Sequence, residues 1–235
     1  MFNSLFNKYA LMEGFVKPLL HLFFPFRCRS CGLELLRNES VLCLFCETAL
    51  EFTSNQADLP TCLSTEAIDL HSLFYYRKDR CAQSLLHALK YEHESDACSW
   101  WGQVFAKSLK AQELEIPPYL LPVPLHPHKE FLRGYNQSAC IAEGILAIYP
   151  AVTLKPDLIK RVKNSRSQTR KNRANRLNDV SNVFELNTEA WGNISHIGLV
   201  DDVITTGATL KGIIDLIKSS HPHVRITIFV LAVTK

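Results

Sequence analysis

Short apolar runs alternate with amphipathic stretches through most of the sequence after residue 70. The amphipathic stretches have helical spacing, and Leu85, Leu86 and Leu89 share one face of the first of them. Apolar strands that alternate with helices are typical of a parallel sheet covered by helices on both faces, so the pattern predicts an α/β fold. The predicted strands are 71–76, 119–124, 180–186, 194–200 and 225–233, and the predicted helices are 81–90, 97–110, 137–148 and 208–219.

Two shorter segments do not follow this alternation and predict irregular structure. Residues 125–136 follow a predicted strand and are expected to form a loop, with Asn136 placed to cap the next helix. Residues 55–65 are polar and contain Pro60, which predicts a linker.

The N-terminal residues 1–26 predict an amphipathic helix that packs on the body of the protein. Their most apolar stretch, 18–26, is far shorter than the ~20 residues that a membrane-spanning helix needs. Glu13, Lys17 and His21 interrupt the apolar region that a signal peptide requires. We therefore expect no membrane span and a cytoplasmic location.

Length and composition set only broad limits on the fold. The 235 residues are 47% hydrophobic and 21% charged, which excludes a wholly disordered chain. The length favours one domain of ordinary size with a smaller attachment, or two small domains.

The net charge of +3 conceals a strongly basic segment at residues 155–176. Only Asp157 opposes its nine basic residues, so the segment carries +8 and the remainder of the chain −5. A charge run of this kind is most often a solvated surface. Two functional interpretations stand beside that one: a lid that closes over pyrophosphate, and a contact to the phosphate backbone of DNA or RNA. The nine residues are Lys155, Lys160, Arg161, Lys163, Arg166, Arg170, Lys171, Arg173 and Arg176.

Four of the eight cysteines form two pairs with metal-binding spacing. Eleven residues separate Cys28-x2-Cys31 from Cys43-x2-Cys46, so the four thiolates can surround one zinc ion. Two disulfides or a redox-active pair are the alternatives, and the expected cytoplasmic location disfavours disulfides. Four thiolates leave no open coordination position, so the zinc would be structural and would fold a small ribbon. The other cysteines are predicted to be buried thiols; they are Cys62, Cys81, Cys98 and Cys140.

Residues 197–209 carry the most informative motif in the chain. An apolar strand ends at Asp201 and Asp202, and the small residues Thr205, Thr206 and Gly207 follow before a predicted helix. Backbone N–H groups at the start of a helix, together with threonine hydroxyls, can hold a dianionic phosphate. The two acids suit hydroxyl groups or Mg²⁺ instead, since like charge keeps them from the phosphate. A phosphate, a diol and a metal ion together outline a ribose 5-phosphate.

This motif resembles the phosphoribosyl-pyrophosphate (PRPP) signature of type I phosphoribosyltransferases. The whole arrangement resembles the ComF family, which is associated with natural competence and joins a zinc ribbon to such a domain. The resemblance covers nearly the full chain from Cys28 onward. Its elements are the four cysteines, Leu89-Lys90-Tyr91, the block from Pro122-Val123-Pro124 to Arg133-Gly134-Tyr135-Asn136-Gln137, the basic segment around Gln168, and the signature itself.

The resemblance implies a role for each of these blocks. Asp201 and Asp202 would contact the ribose hydroxyls as the catalytic acids. The 5-phosphate would bind at Thr205, Thr206, Gly207, Ala208 and Thr209. The pyrophosphate side and the lid would be formed by Lys129, Arg133, Arg161, Gln168 and Arg170. The loop histidines His126 and His128 carry no predicted acid or base role.

Two functions remain open on this scaffold. The first is an enzyme that binds PRPP with Mg²⁺ and transfers the phosphoribosyl group to an acceptor, within DNA uptake during natural transformation. Its task would be to position the substrate and to stabilise the departing pyrophosphate. The second is a competence factor that binds single-stranded DNA or a helicase partner and retains a regulatory or vestigial PRPP site. Both readings divide the chain into an N-terminal helix (1–26), a zinc ribbon (27–54) and a phosphoribosyltransferase-like domain (66–235).

Overall fold

A computed structural model of the chain describes residues 26–36, 39–54, 58–64, 68–77, 80–91, 95–162 and 183–234. The seven strands of these residues are β1 (Asp69–Tyr76), β2 (Tyr119–Pro122), β3 (Thr153–Leu154), β4 (Ile159–Arg161), β5 (Phe184–Leu186), β6 (His196–Ile204) and β7 (Arg225–Thr234). Their six α-helices are α1 (Leu44–Thr48), α2 (Arg80–Tyr91), α3 (Ser95–Ala111), α4 (Pro127–Arg133), α5 (Gln137–Ile148) and α6 (Ala208–Ser220). Two short 3₁₀ helices lie at Pro156–Leu158 and Thr188–Ala190.

Five of the strands form one sheet in the order β1-β7-β6-β2-β3. Every neighbouring pair in this sheet is parallel, and β6 at its centre pairs with β2 and β7. Parallel strands need long crossover connections, which the intervening helices supply. The predicted α/β fold with a parallel sheet is therefore confirmed. The strands β4 and β5 form a separate antiparallel hairpin.

Each face of the sheet has its own buried cluster. Leu120, Val200 and Phe229 point toward the face that α2, α3 and α5 cover. Leu121, Leu199 and Ile228 point toward the opposite face, which α6 and the β4–β5 hairpin cover. This alternation follows from the two-residue period of a strand, and it explains why each strand is apolar along its length.

The structure corrects two predictions of local structure. Residues 127–133 form the short helix α4 rather than a loop, with Pro127 at its first turn and Gly134 in the left-handed conformation at its end. The predicted linker is not detached from the body in its described part, because Leu63 is fully buried in the cluster that α6 covers. Asn136 caps α5 as predicted, and its side chain accepts a hydrogen bond from the Ser138 N–H at 3.0 Å.

The predicted ribbon packs directly on the α/β body. Cys28, Cys43 and Cys46 belong to the same buried cluster as Leu85 and Leu89 of α2. Of the other cysteines, Cys98 is buried as predicted, while Cys62, Cys81 and Cys140 are only half-buried.

Part of the sequence prediction concerns residues that the structure does not describe. The amphipathic helix predicted for residues 1–26, apart from its last residue, and most of the basic segment lie outside the described residues, as does the start of the strand predicted at 180–186. Among the residues that are described, no helix has the length and apolar character needed to cross a membrane.

Candidate functional site

The two acids of the motif lie on the last part of β6, which runs through them and ends at Ile204. Asp201 is half-buried and Asp202 is buried. The Ser138 hydroxyl, at the start of α5, donates a hydrogen bond of 2.9 Å to Oδ1 of Asp201. Each carboxylate also accepts a bond of 2.9 Å from the backbone N–H of the residue that follows it. These bonds fix the orientation of both side chains at the carboxyl end of the central strand, where α/β sheets bind ligands.

The surroundings of the Asp201 carboxyl disfavour its charged form. Burial, with the neighbouring charge of Asp202, raises the pKa of Asp201 from 3.8 to about 7, although the bond from Ser138 and the charge of Lys90 oppose the rise. Arg161 of β4 is the second cation in its field: burial lowers the pKa of Arg161, and the charge of Asp201 counteracts this. A strongly perturbed carboxyl at a strand end is typical of a functional site.

Asp202 contacts a different cation, which lies on the opposite face of the sheet from Arg161. Nζ of Lys90, in the last turn of α2, lies 2.7 Å from Oδ2 of Asp202. Leu89-Lys90-Tyr91 belongs to the family resemblance, but the sequence predicts no role for Lys90. The sequence predicts no role for Ser138 either, because nothing in the local sequence indicates a contact with Asp201.

The phosphate loop, residues 205–209 that are predicted to bind a phosphate, follows β6 directly. Gly207 is buried and adopts φ +74°, which favours glycine, and α6 begins at the next residue. The loop residues Thr205, Thr206, Ala208 and Thr209 are exposed at the N-terminal end of α6. The Cys62 thiol donates a hydrogen bond of 3.0 Å to the Thr206 carbonyl, so the segment 58–64 contacts the loop directly.

A second loop region, at the end of β2, lies against α2. Arg133 stacks on the Tyr91 ring, with its guanidinium carbon 4.9 Å from the ring centroid. The Tyr135 hydroxyl donates a bond of 2.8 Å to the Leu89 carbonyl. The predicted pyrophosphate-side residue Arg133 is thereby placed beside the helix end that carries Lys90. His126 has a structural role instead, since its Nδ1 accepts a bond from the His128 N–H and caps α4.

An open cleft of about 390 Å³ separates this region from β4. Pro122 and Pro124 form one wall, and Lys160 and Arg161 form the other. The structure thus brings Arg161, Asp201 and Asp202 to one end of the sheet. The predicted lid residues Gln168 and Arg170 lie outside the described residues.

The cysteine cluster has a geometry that fits zinc. The sulfur atoms of Cys28, Cys31, Cys43 and Cys46 all lie within 4.8 Å of one another. Cys31 and Cys43 have their sulfur atoms 3.6 Å apart, close to the ~3.8 Å that tetrahedral Zn–S bonds of ~2.3 Å imply. Burial raises the pKa of the Cys28 thiol, but backbone hydrogen bonds from Cys31 and Cys43 outweigh it and lower that pKa to about 6. Burial raises the pKa values of the Cys43 and Cys46 thiols. The cluster could therefore hold one structural zinc ion, as predicted.

A groove of about 490 Å³ lies between this cluster and α2. Apart from Cys28, all of its described lining residues are polar or basic, and none of them is an acid; they are Arg27, Arg29, Gln83, Ser84 and His87. The His87 ring lies 4.8 Å from the ring of the exposed Tyr91, centroid to centroid. Tyr91, on which Arg133 stacks, therefore adjoins the lining of the groove at His87.

Comparison with known proteins agrees with the motifs. No family model matches the chain. It is 31% identical over 110 residues to Competence protein F of Haemophilus influenzae, a match that covers 46% of this chain and 48% of the relative. It is 27% identical over 137 residues to DNA utilization protein YhgH of Salmonella typhimurium, covering 57% and 59% of the two chains. The protein of that name from Escherichia coli K12 is 26% identical over the same length. The chain thus matches about half the length of these relatives, and they confirm its resemblance to the ComF family.

Proposed function

We propose that this protein binds PRPP together with Mg²⁺ and acts in DNA uptake during natural transformation. The proposal of PRPP as the ligand rests on the end of β6, where Asp201 and Asp202 adjoin a loop with exposed threonines at the start of a helix. The names of the relatives, Competence protein F and DNA utilization protein, support the role in DNA uptake.

Each part of the site would have a separate task toward PRPP. The loop 205–209 would bind the 5-phosphate through its N–H groups and hydroxyls. Asp201 and Asp202 offer carboxylate oxygens, which suit the ribose hydroxyls and are the donors that Mg²⁺ prefers. Lys129, Arg133 and Arg161, with the predicted lid residues Gln168 and Arg170, would stabilise the pyrophosphate.

Transfer of the phosphoribosyl group is the reaction that this arrangement would support. Departure of pyrophosphate leaves an electron-poor anomeric carbon, which an acceptor then attacks, so the chain need supply no nucleophile of its own. Its contribution would be positioning of the sugar and electrostatic stabilisation of the leaving group.

Isothermal titration calorimetry with PRPP and Mg²⁺ tests the binding proposal. We expect the wild type to bind, and Asp201→Ala/Asp202→Ala to lose at least roughly a hundredfold in affinity, a cost of about 2.7 kcal/mol. Asp215→Ala is the matched control, since this exposed acid of α6 pairs only with Lys211 among the described contacts. Absence of PRPP binding by the wild type overturns the proposal.

Binding of single-stranded DNA is the second candidate function, and the groove beside the cysteine cluster favours it. Basic side chains that line a groove and lead to exposed aromatic rings are the usual means of holding a single strand. The basic segment that includes Arg170, Lys171 and Arg173 would add contacts to the phosphate backbone. A competence helicase is the protein partner that we propose for this function.

Fluorescence anisotropy with a labelled oligothymidylate at several salt concentrations tests this function. We expect Arg27→Ala/His87→Ala to weaken binding and Arg27→Ala alone to lower the salt slope by about 1. Charge reversal at Arg170, Lys171 and Arg173 should flatten the slope further. Arg77→Ala, which removes an exposed arginine paired with Glu51, is the control. Unchanged affinity in both sets of variants excludes these surfaces from DNA binding.

A further inference from the structure

The end of α2 places a cation directly on the acid pair. The Lys90–Asp202 contact of 2.7 Å joins side chains that are only 26% and 11% exposed. Water screens a contact of this burial much less than it screens a surface ion pair. The Lys90 ammonium therefore compensates much of the charge on Asp202 before any ligand binds.

Different groups compensate the charges of the two carboxylates. Asp201 has the Ser138 hydroxyl and the field of Arg161, whereas Asp202 has Lys90. A divalent cation prefers carboxylate oxygens, and Oδ2 of Asp202 is the oxygen that the ammonium contacts. The Lys90 ammonium thus contacts an oxygen atom of the type that a divalent cation would bind.

We propose that Lys90 is a built-in competitor for the divalent cation: it positions Asp202 in the absence of ligand and leaves Oδ2 when the cation binds. The inference rests on the proposed function, because that function assigns Mg²⁺ to the acid pair. Lys90 precedes Tyr91, which stacks on Arg133, so its displaced ammonium remains beside the predicted pyrophosphate side.

A titration with Mn²⁺ in the absence of PRPP tests the competition. The electron paramagnetic resonance signal of the free ion measures how much Mn²⁺ is bound. The zinc-loaded full chain is used, so that the thiolates are already occupied. Lys90→Met removes the competing charge, and we expect it to bind Mn²⁺ on the order of tenfold more tightly than the wild type. Lys90→Arg keeps the charge and should bind Mn²⁺ as the wild type does. Lys107→Met, which removes an exposed lysine on α3, is the control and should change nothing.

Two further measurements distinguish competition with the cation from a merely structural role of Lys90. A lysine that served only the fold would lower the melting temperature on replacement and leave Mn²⁺ affinity unchanged or weaker, and that result overturns the inference. The gain must also depend on Asp202, so Lys90→Met/Asp202→Asn should lose it; a gain that persists in the double variant overturns the inference as well.

The PRPP titration separates this inference from the proposed function. Tighter Mn²⁺ binding by Lys90→Met in a protein that binds no PRPP supports the competition and overturns the proposed function. PRPP binding by the wild type, with equal Mn²⁺ affinity in Lys90→Met and the wild type, supports the function and overturns the competition.

Discussion

Replacing Gly207 by alanine tests how the phosphate loop is held in place. The residue has φ +74°, and a Cβ there would lie 2.9 Å from the Cys62 sulfur and 3.3 Å from Cβ of Pro60. The left-handed backbone costs alanine about 1–2 kcal/mol, and the overpacking adds about 1–3 kcal/mol. We therefore expect Gly207→Ala to lower the free energy of unfolding by about 2–5 kcal/mol.

Gly192 offers a matched control, because it also has a positive φ, +49°, but a Cβ there would meet no atom within 4 Å. Gly192→Ala should therefore cost only the backbone part, about 1–2 kcal/mol. Urea denaturation of both variants measures the difference, which isolates the contact with segment 58–64. Adding Cys62→Ala to Gly207→Ala should recover part of the loss, since the sulfur is the nearest obstacle. Equal costs for the two glycine variants would refute the packing argument.

Two further predictions concern the acid pair and the cysteine cluster. Because the pKa of Asp201 is raised from 3.8 to about 7, the folded state holds a proton that the unfolded state releases, and stability falls as the pH rises between these values. Asp201→Asn should therefore raise the unfolding free energy more at pH 8 than at pH 5, and equal gains in urea denaturation would contradict this. Cys43→Ser should reduce the zinc content found by metal analysis from about one ion per chain and lower the melting temperature; wild-type protein that contains no zinc would contradict it.

The parts of the fold that depend on local pattern were predictable from the sequence. The strands are apolar because both faces of the sheet are covered, and Asn136 caps α5 because its side chain precedes a free helix N-terminus. The helix α4 had local signals too, Pro127 and Gly134, but its exposed Phe131 and Leu132 give no buried apolar face. A seven-residue helix without a buried face shows no helical period of apolar residues, so the pattern predicts a loop there.

The contacts that complete the site could not be predicted in the same way. Lys90 and Asp202 are far apart in the sequence, and their contact depends on how α2 crosses the sheet. Ser138 reaches Asp201 only because β2 and β6 are neighbours, which places the start of α5 beside the end of β6. Strand order determines both contacts, and no local period encodes strand order.

The helix α2 contacts both of the regions for which a function is proposed. At its start, Cys81 lies 3.4 Å from the Ser30 hydroxyl, sulfur to oxygen, beside the cysteine cluster. At its end, Lys90 contacts Asp202. Twelve helical residues span about 18 Å. A single strand bound in the groove at His87 would therefore lie on the same helix whose last turn contacts Asp202, so the two proposed functions need not be alternatives.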